Sequence, residues 1–283
     1  MALQGVTETV ATAQAVIASI VQETLKQKSM LLPLVSDYSG FISGQGAKSV
    51  DIPRRAQLSA DDKSENTALT AQTMLFATDS ILLTKHKAIL ANVEKISALQ
   101  SAVAVEAEII KEMAAELSLQ IDRDLYAQAL LTSASAPDHR IQYANTPTNT
   151  AGKADVIALR QLLNIANVPQ EDRFLIINPV EESYLLSISQ FVEAQMYGNS
   201  MALVNGELGR LFGFRVVMTN VATAGVMLAM HKSHVGFASQ LQPEYMTQDD
   251  LDNVSKKHLI HLLYGSKVMD SGKRGVIINA AGT

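Results

Sequence analysis

The sequence predicts an α+β fold, and three observations carry that reading. Helical periodicity runs without a Pro or Gly from Ala102 to Leu131; strand and helix patterns alternate between Lys153 and Phe191; and apolar, β-branched runs flank both, from Ser49 to Val93 and from Gly225 to Ala280. A chain of 283 residues, 47% hydrophobic and 18% charged, is long enough to bury a sizeable core and is globular.

At the N-terminus, Val10, Ala13, Ile17, Ile20 and Val21 recur at helical spacing and predict a short amphipathic arm ending near "LLPLVSDYSG". No basic residue precedes Lys26, so the charged start of a secretory signal is missing. "SVDIPRR", Ser49 to Arg55, reads as a strand that Pro53 confines to an edge or a bulge. A polar tip follows, and then "QTMLFATDSILLTKHKAILANV" reads as the returning strand. A hairpin that long leaves edges for something else to cover, which points to a partner subunit.

In the long helix Val103, Ala107, Ile110, Ala114, Leu117, Ile121 and Leu125 share one face, with Glu106, Glu112, Glu116 and Arg123 elsewhere on the wheel. From Ala102 to Leu131 it would be a rod of about 45 Å. Thr132 to Gly152 is polar, with two prolines, and reads as a long loop or a boundary. "KADVIALRQLLNIANV" is then a helix, "RFLIINP" a buried strand and "VEESYLLSISQF" a second helix. "GVMLAMHKSHVGFASQ" reads as one or two strands, "QPEYMTQDDLDN" as an acidic loop, and "HLIHLLYGSKVMD" and "RGVIINA" as strands around a "DSGKRG" turn.

No chemical motif stands out. In "GELGRLFGF" the glycines Gly206, Gly209 and Gly213 match neither the dinucleotide fingerprint nor the P-loop, because Phe214 stands where a phosphate-binding lysine would be needed. Alternation instead puts Phe212, Phe214, Val216 and Met218 on one strand face, with Gly213 on the other, entered through an Asn205-Gly206 turn. "YGNSMA" is a partial nucleophile elbow at Ser200, but a helix pattern precedes it where a strand is required.

His231 with His234 and His258 with His261 have ligand-like spacing, yet in strands residues three apart face opposite ways. Asp249, Asp250 and Asp252 lack the rest of a calcium loop and read as a solvated acidic loop. The chain has no cysteine, which excludes disulfides and thiolate chemistry, and no apolar run approaches the roughly 20 residues that span a bilayer. A net charge of -5 and the lack of Trp argue against a sequence-reading or base-stacking nucleic-acid binder. The expectation is a protein that is not an enzyme, with no cofactor and no metal.

The order of these parts resembles the major capsid proteins of tailed double-stranded-DNA bacteriophages, with the Hong-Kong-ninety-seven-type capsid fold. "ILLTKHKAILANVEKIS", "IDRDLYAQAL", "VPQEDRFLIINPVEESYLL", "GELGRLFGFRVVMTN", "VGFASQ" and "YGSKVMDSGKRGVII" carry the likeness. The resemblance implies an N-terminal arm over 1–45, an extended loop over 46–93, a peripheral domain with a spine helix over 94–140 and 256–283, and an axial domain over 141–255. It implies self-assembly into pentamers and hexamers of an icosahedral shell, built in the host cytoplasm and carried in the virion, with the extended loop across a neighbour.

Assembly contacts are then expected at Arg54, Arg55, Asp61, Asp62, Lys63 and Glu65 of the loop, and at Gly206, Gly209 and Gly213 of the axial domain. The further partners implied are a separate scaffolding protein, since about forty residues precede the loop, a portal protein, an optional decoration protein, and packaged double-stranded DNA in weak non-specific contact, with no membrane. Lysine–asparagine crosslinking is not expected: Lys48 and Lys63 lie in the loop without an aligned Asn or Glu partner. A nanocompartment shell of the same architecture, or a hydrolase using Ser200, are the alternatives.

Overall fold

The computed structural model describes residues 29–42, 47–55, 76–94, 105–134, 138–144, 151–187 and 209–279, with scattered positions between 58 and 73. Most of the expected N-terminal arm, several positions at the tip of the hairpin, Ser200 and Gly206 lie outside these residues.

One helix carries the architecture. Helix α1, Val105–Ala129, has 25 residues, about 37 Å of rod. It buries Met113, Leu117, Leu125, Tyr126 and Ala129 in a single cluster with residues of two different sheets. The expected stripe is thus turned by one residue at its N-terminal end, where Met113 is buried and Ala114 exposed. An i, i+4 row through 113, 117, 125 and 129 suits a helix lying across strands. Opposite, Arg123 pairs with Glu116 at 2.8 Å on the exposed side.

A four-stranded sheet, in the order β1-β10-β11-β4, lies against this helix. Its strands are β1 (Ser36–Asp37), β4 (Lys85–Glu94), β10 (Val235–Asp250) and β11 (Ser255–Val268). On β11 the buried residues alternate through His258, Ile260, Leu262 and Tyr264. Two sequence expectations are corrected here. The acidic stretch after Gln242 is no loop: β10 runs to Asp250 because β11 pairs it throughout, with Asp249 opposite Lys256 and Gln248 opposite Lys257, so that lysines face the acidic end. The run expected as one returning strand is two, broken at Leu83 and Thr84. Leu83 is buried and its N–H donates to the Lys48 carbonyl at 3.0 Å, which lets the chain leave the hairpin and enter β4.

The second sheet has six strands in the order β5-β12-β9-β6-β8-β7. They are β5 (Arg140–Gln142), β6 (Arg173–Ile177), β7 (Arg210–Leu211), β8 (Phe214–Met218), β9 (Val226–His231) and β12 (Gly275–Asn279). Both faces are covered. Phe174, Ile176, Leu228 and Met230 meet α1, whereas Leu175, Ile177, Met227 and Ala229 meet α2 (Lys153–Ile165) and α3 (Pro179–Leu186). That two-sided burial explains why "FLII", 174–177, is a continuous apolar run. Asn178 caps α3 by accepting the Val180 N–H at 3.1 Å, with Pro179 at the first helical position.

The sheets also cut across the expected domain boundaries. β12, placed by sequence in the peripheral part, pairs with β9 and β5 inside the six-stranded sheet, while β10, placed in the axial part, pairs with β11 and β1. Strand partners far apart in sequence leave no local signal from which that exchange could be read.

The "GRLFGF" stretch is a tight hairpin. β7 and β8 pair with Leu211 opposite Phe214, leaving Phe212 and Gly213 as a two-residue turn with φ of 47° and 90°. Phe212 and Gly213 therefore leave the strand face on which alternation placed them. Nothing would touch a Cβ added at Gly209 or Gly213, so these glycines supply positive φ and no close approach.

Candidate assembly surface

The expected extended loop begins as a two-stranded sheet. β2, Ser49–Arg55, pairs antiparallel with β3, Phe76–Leu82, from Ser49 opposite Leu82 to Arg55 opposite Phe76. With side chains alternating, Val50, Ile52, Arg54, Ala77, Asp79 and Ile81 share the face turned to the body. Val50, Ile81 and Leu83 are buried there with Ala238 and Met269 in a small core of their own. Pro53 opposes Thr78 in a sheet that has only edges, where its missing N–H costs no ladder bond.

Two glycines of the β10–β11 pair open the seat for this root. A Cβ on Gly265 would overlap the Leu82 carbonyl oxygen and lie 2.9 Å from its carbon; one on Gly236 would overlap the Met269 methyl and lie 2.9 Å from Ile81 Cδ1. The corner after β11 then clamps the hairpin. Asp270, Ser271 and Gly272 carry φ of 52°, 51° and 78°, and this left-handed run aims Asp270 in two directions. Its N–H donates to Asp79 at 3.2 Å, and its carboxylate accepts from Arg54 and faces Arg274 Nε at 3.5 Å. Gly272 leaves no room for a side chain, since a Cβ would lie 2.8 Å from the Ser133 nitrogen.

The outward face of the hairpin is different in character. Phe76 is 60% and Leu82 59% exposed, beside exposed Asp51 and Pro53, and Leu58 beyond them is 49% exposed. Large apolar side chains held on a rigid root and offered to solvent are material for an interface.

Of the residues expected at assembly contacts, Arg54 is a root residue turned inward onto Asp270, not an outward one. Its place on the strand face that packs on the body decides this. Arg55 lies at the end of β2, and Asp62, Lys63 and Glu65 are exposed positions beyond it, while Asp61 and Gly206 fall outside the described residues. Gly209 and Gly213 belong to the β7–β8 turn. Sequence reasoning passed over Asp79, Asp270, Gly236 and Gly265. The two isolated strand glycines were the available signal, because a glycine inside a strand often marks close backbone approach.

The other candidates resolve into structural roles. His231 ends β9 and accepts from the Ser233 N–H at 3.1 Å, but His234 sits in a 3-10 turn, Lys232–His234, which corrects the reading of both as strand residues; the polar Lys232-Ser233-His234 run breaks the strand as β9 passes into β10. His234 is fully buried, its Nε2 2.9 Å from the Ala129 carbonyl, and burial pushes its pKa down to about 4. His258 and His261 do face opposite ways: His258 is buried with Nδ1 2.6 Å from the Tyr245 hydroxyl, and His261 lies on the outer face beside His86 and Glu244.

Asp250 accepts from Lys257 at 2.7 Å and from Asn253 at 3.0 Å, which holds its carboxyl down to about 2. Among the described residues, no group of three or more His, Cys, Asp or Glu is arranged to hold a metal ion, and no helix is long and apolar enough to cross a membrane.

One buried carboxylate was not foreseen. Asp122 stands on the packed face of α1 and accepts from Ser29 Oγ at 2.9 Å and from the N–H groups of Met30 and Leu31 at 2.8 and 3.2 Å. Burial raises its pKa, against those three hydrogen bonds. It fixes the point where the N-terminal segment meets the long helix.

Comparison with known proteins adds to this geometry. A family model described as "Phage capsid protein" matches residues 54–280. Among solved structures, a chain from Mycobacterium phage Che8 superposes with a TM-score of 0.75 at 21% identity, covering 90% of this chain and 93% of that one. The capsid structure of the cyanophage P-SCSP1u gives 0.74 at 18%, covering 90% and 89%. The mature capsid of bacteriophage PhiM1 gives 0.69 at 12%, covering 89% and 87%. No curated protein matches the chain.

Proposed function

This chain belongs to the phage capsid protein family and is a shell-forming major capsid protein, and from that premise we propose that it closes the shell through its β2–β3 hairpin. The observation that carries the proposal is the contrast between the hairpin's two faces: Val50 and Ile81 buried at a clamped root, Phe76 and Leu82 presented outward. A neighbouring copy covers that apolar face, which takes Phe76 and Leu82 out of water and supports a two-stranded sheet that would be marginal alone. In this reading the hairpin is the family's extended loop. Helix α1 with the β4–β11–β10 sheet forms the peripheral part, its helix the spine, and the six-stranded sheet with α2 and α3 forms the axial part.

Pentamers and hexamers are the capsomers of this proposal, with a separate scaffolding protein and a portal completing the particle assembled in the host cytoplasm. Net charge of -5 suits a wall that holds double-stranded DNA in only weak, non-specific contact. The role is structural and not catalytic. The family match favours a genome-enclosing shell over a cargo-enclosing compartment of the same architecture.

Negative-stain microscopy of the purified protein tests this directly. Uniform shells, or rings that close into shells when scaffold is supplied, are expected. Phe76→Asp places a charge on the outward face without touching the root, so it should leave a folded protein that no longer closes shells. Wild-type protein that stays monomeric under every condition, or shells of unchanged yield from Phe76→Asp, would overturn the assignment of the hairpin.

A further inference from the structure

The outer face of the four-stranded sheet, away from α1, carries a pair of histidines that the capsid reading does not use. His86 on β4 and His261 on β11 are diagonal neighbours across the strand pair, since His86 opposes Leu263 and His261 opposes Ala88. Their rings stand perpendicular, with centroids 5.5 Å apart, and His86 Nε2 is 3.5 Å from His261 Nδ1. At that separation a direct hydrogen bond gains little, because such bonds favour roughly 2.7–3.2 Å. Two imidazole nitrogens each about 2.0–2.1 Å from a tetrahedral ion, by contrast, stand about 3.4 Å apart. The second nitrogen of His261 faces the Glu244 carboxylate at 3.8 Å, on β10 directly opposite. A small rotation would let that carboxylate accept the Nε2 proton, leaving Nδ1 with its lone pair toward His86. A carboxylate behind a histidine is the usual outer support of a metal-bound imidazole.

We propose that His86 and His261 form a two-imidazole site for a divalent transition ion of the zinc class, with water completing the coordination and Glu244 orienting His261. Imidazole ligands suit zinc, copper and nickel. The other four histidines are engaged elsewhere: His139 with the Gly275 carbonyl, His231 with Ser233, His234 with the Ala129 carbonyl and His258 with Tyr245. An ion bound here would join β4, the outer strand of its sheet, to β11. The proposal stands on the side-chain geometry of one chain and is independent of the assembly reading.

Equilibrium dialysis of the protein, prepared without a polyhistidine tag, against zinc chloride near neutral pH tests it. One ion per chain is expected at sub-millimolar zinc. His86→Ala, at an exposed position, should keep the fold and lower affinity at least tenfold; His261→Ala should do the same. Glu244→Gln should weaken binding by about tenfold while leaving the stoichiometry at one. No retained zinc in the wild type would overturn the proposal. So would zinc uptake that His86→Ala leaves unchanged, because adventitious carboxylate binding would then account for it.

Discussion

The seat of the hairpin can be tested with two substitutions that look alike in sequence and differ in structure, Gly265→Ala and Gly236→Ala. Neither glycine has positive φ, so in each case alanine gains back roughly 0.5–1 kcal/mol of backbone entropy. The new methyl groups meet different neighbours. At Gly236 it meets only side chains, the Met269 methyl and Ile81 Cδ1, whose flexible ends can turn aside, and the edge of the Tyr38 ring at 3.1 Å, which has to give by a few tenths of an ångström. At Gly265 it meets the carbonyl of Leu82, and backbone at the end of β3 can move only if the hairpin root moves with it.

Overpacking of that kind costs about 1–3 kcal/mol, so Gly265→Ala should be destabilising by a net of about 1–2 kcal/mol and Gly236→Ala should be close to neutral. Burial of Val50, Ile81 and Leu83 contributes several kcal/mol at about 1.5–3 per side chain, so the hairpin should loosen without detaching. Hydrogen exchange reads this locally: amides of 49–55 and 76–82 should open roughly 5- to 30-fold more often in Gly265→Ala. Unchanged protection there, or a larger effect from Gly236→Ala, would refute the argument that Gly265 exists to seat the hairpin.

Two further outcomes follow from the fold. His234 is neutral and buried with a pKa of about 4, below the unfolded value near 6.5, so it contributes stability that is present above about pH 6.5 and lost as the pH falls toward 4. Wild type should lose on the order of 3 kcal/mol from this group across that window in urea titrations at successive pH values, and His234→Gln, which can still donate to the Ala129 carbonyl, should show a shallower slope. Gly213→Ala forces a side chain into φ of 90° in the β7–β8 turn and should cost about 1–3 kcal/mol, read as a lower thermal midpoint, whereas wild-type stability in that variant would show that the turn relaxes freely.

The sequence was most legible where a single element carries its own period. The long helix and the opposed faces of His258 and His261 follow from spacings of 3.6 and 2, and the buried strand from Arg173 to Ile177 from its short unbroken run of apolar residues. What it could not show was exchange of partners. Nothing near Gly275 says that β12 will lie between β9 and β5, and nothing around Thr84 says that one apolar run will serve two sheets. Phe212 is a sharper case: period-two alternation counts it with Phe214, but a two-residue turn removes it from the strand, a difference only the pairing of Leu211 with Phe214 settles. Asp122 escaped notice because a carboxylate on an apolar helix face looks like an interruption until the N–H groups of Met30 and Leu31 are seen to end on it.

The same long-range pairings explain how a hairpin bound to its body by so small a core can still be held firmly. Its root touches β10 and β11 through Gly236 and Gly265, and the clamp at Asp270 sits between β11 and β12, so this one corner faces both sheets. Arg274, beside Asp270, donates to Ser233 Oγ at 2.7 Å at the junction of β9 and β10. Helix α1 buries residues against β6 and β9 of one sheet and β10 and β11 of the other within a single cluster. A load on the outward face of the hairpin therefore passes into the junction of the two sheets, not into either alone.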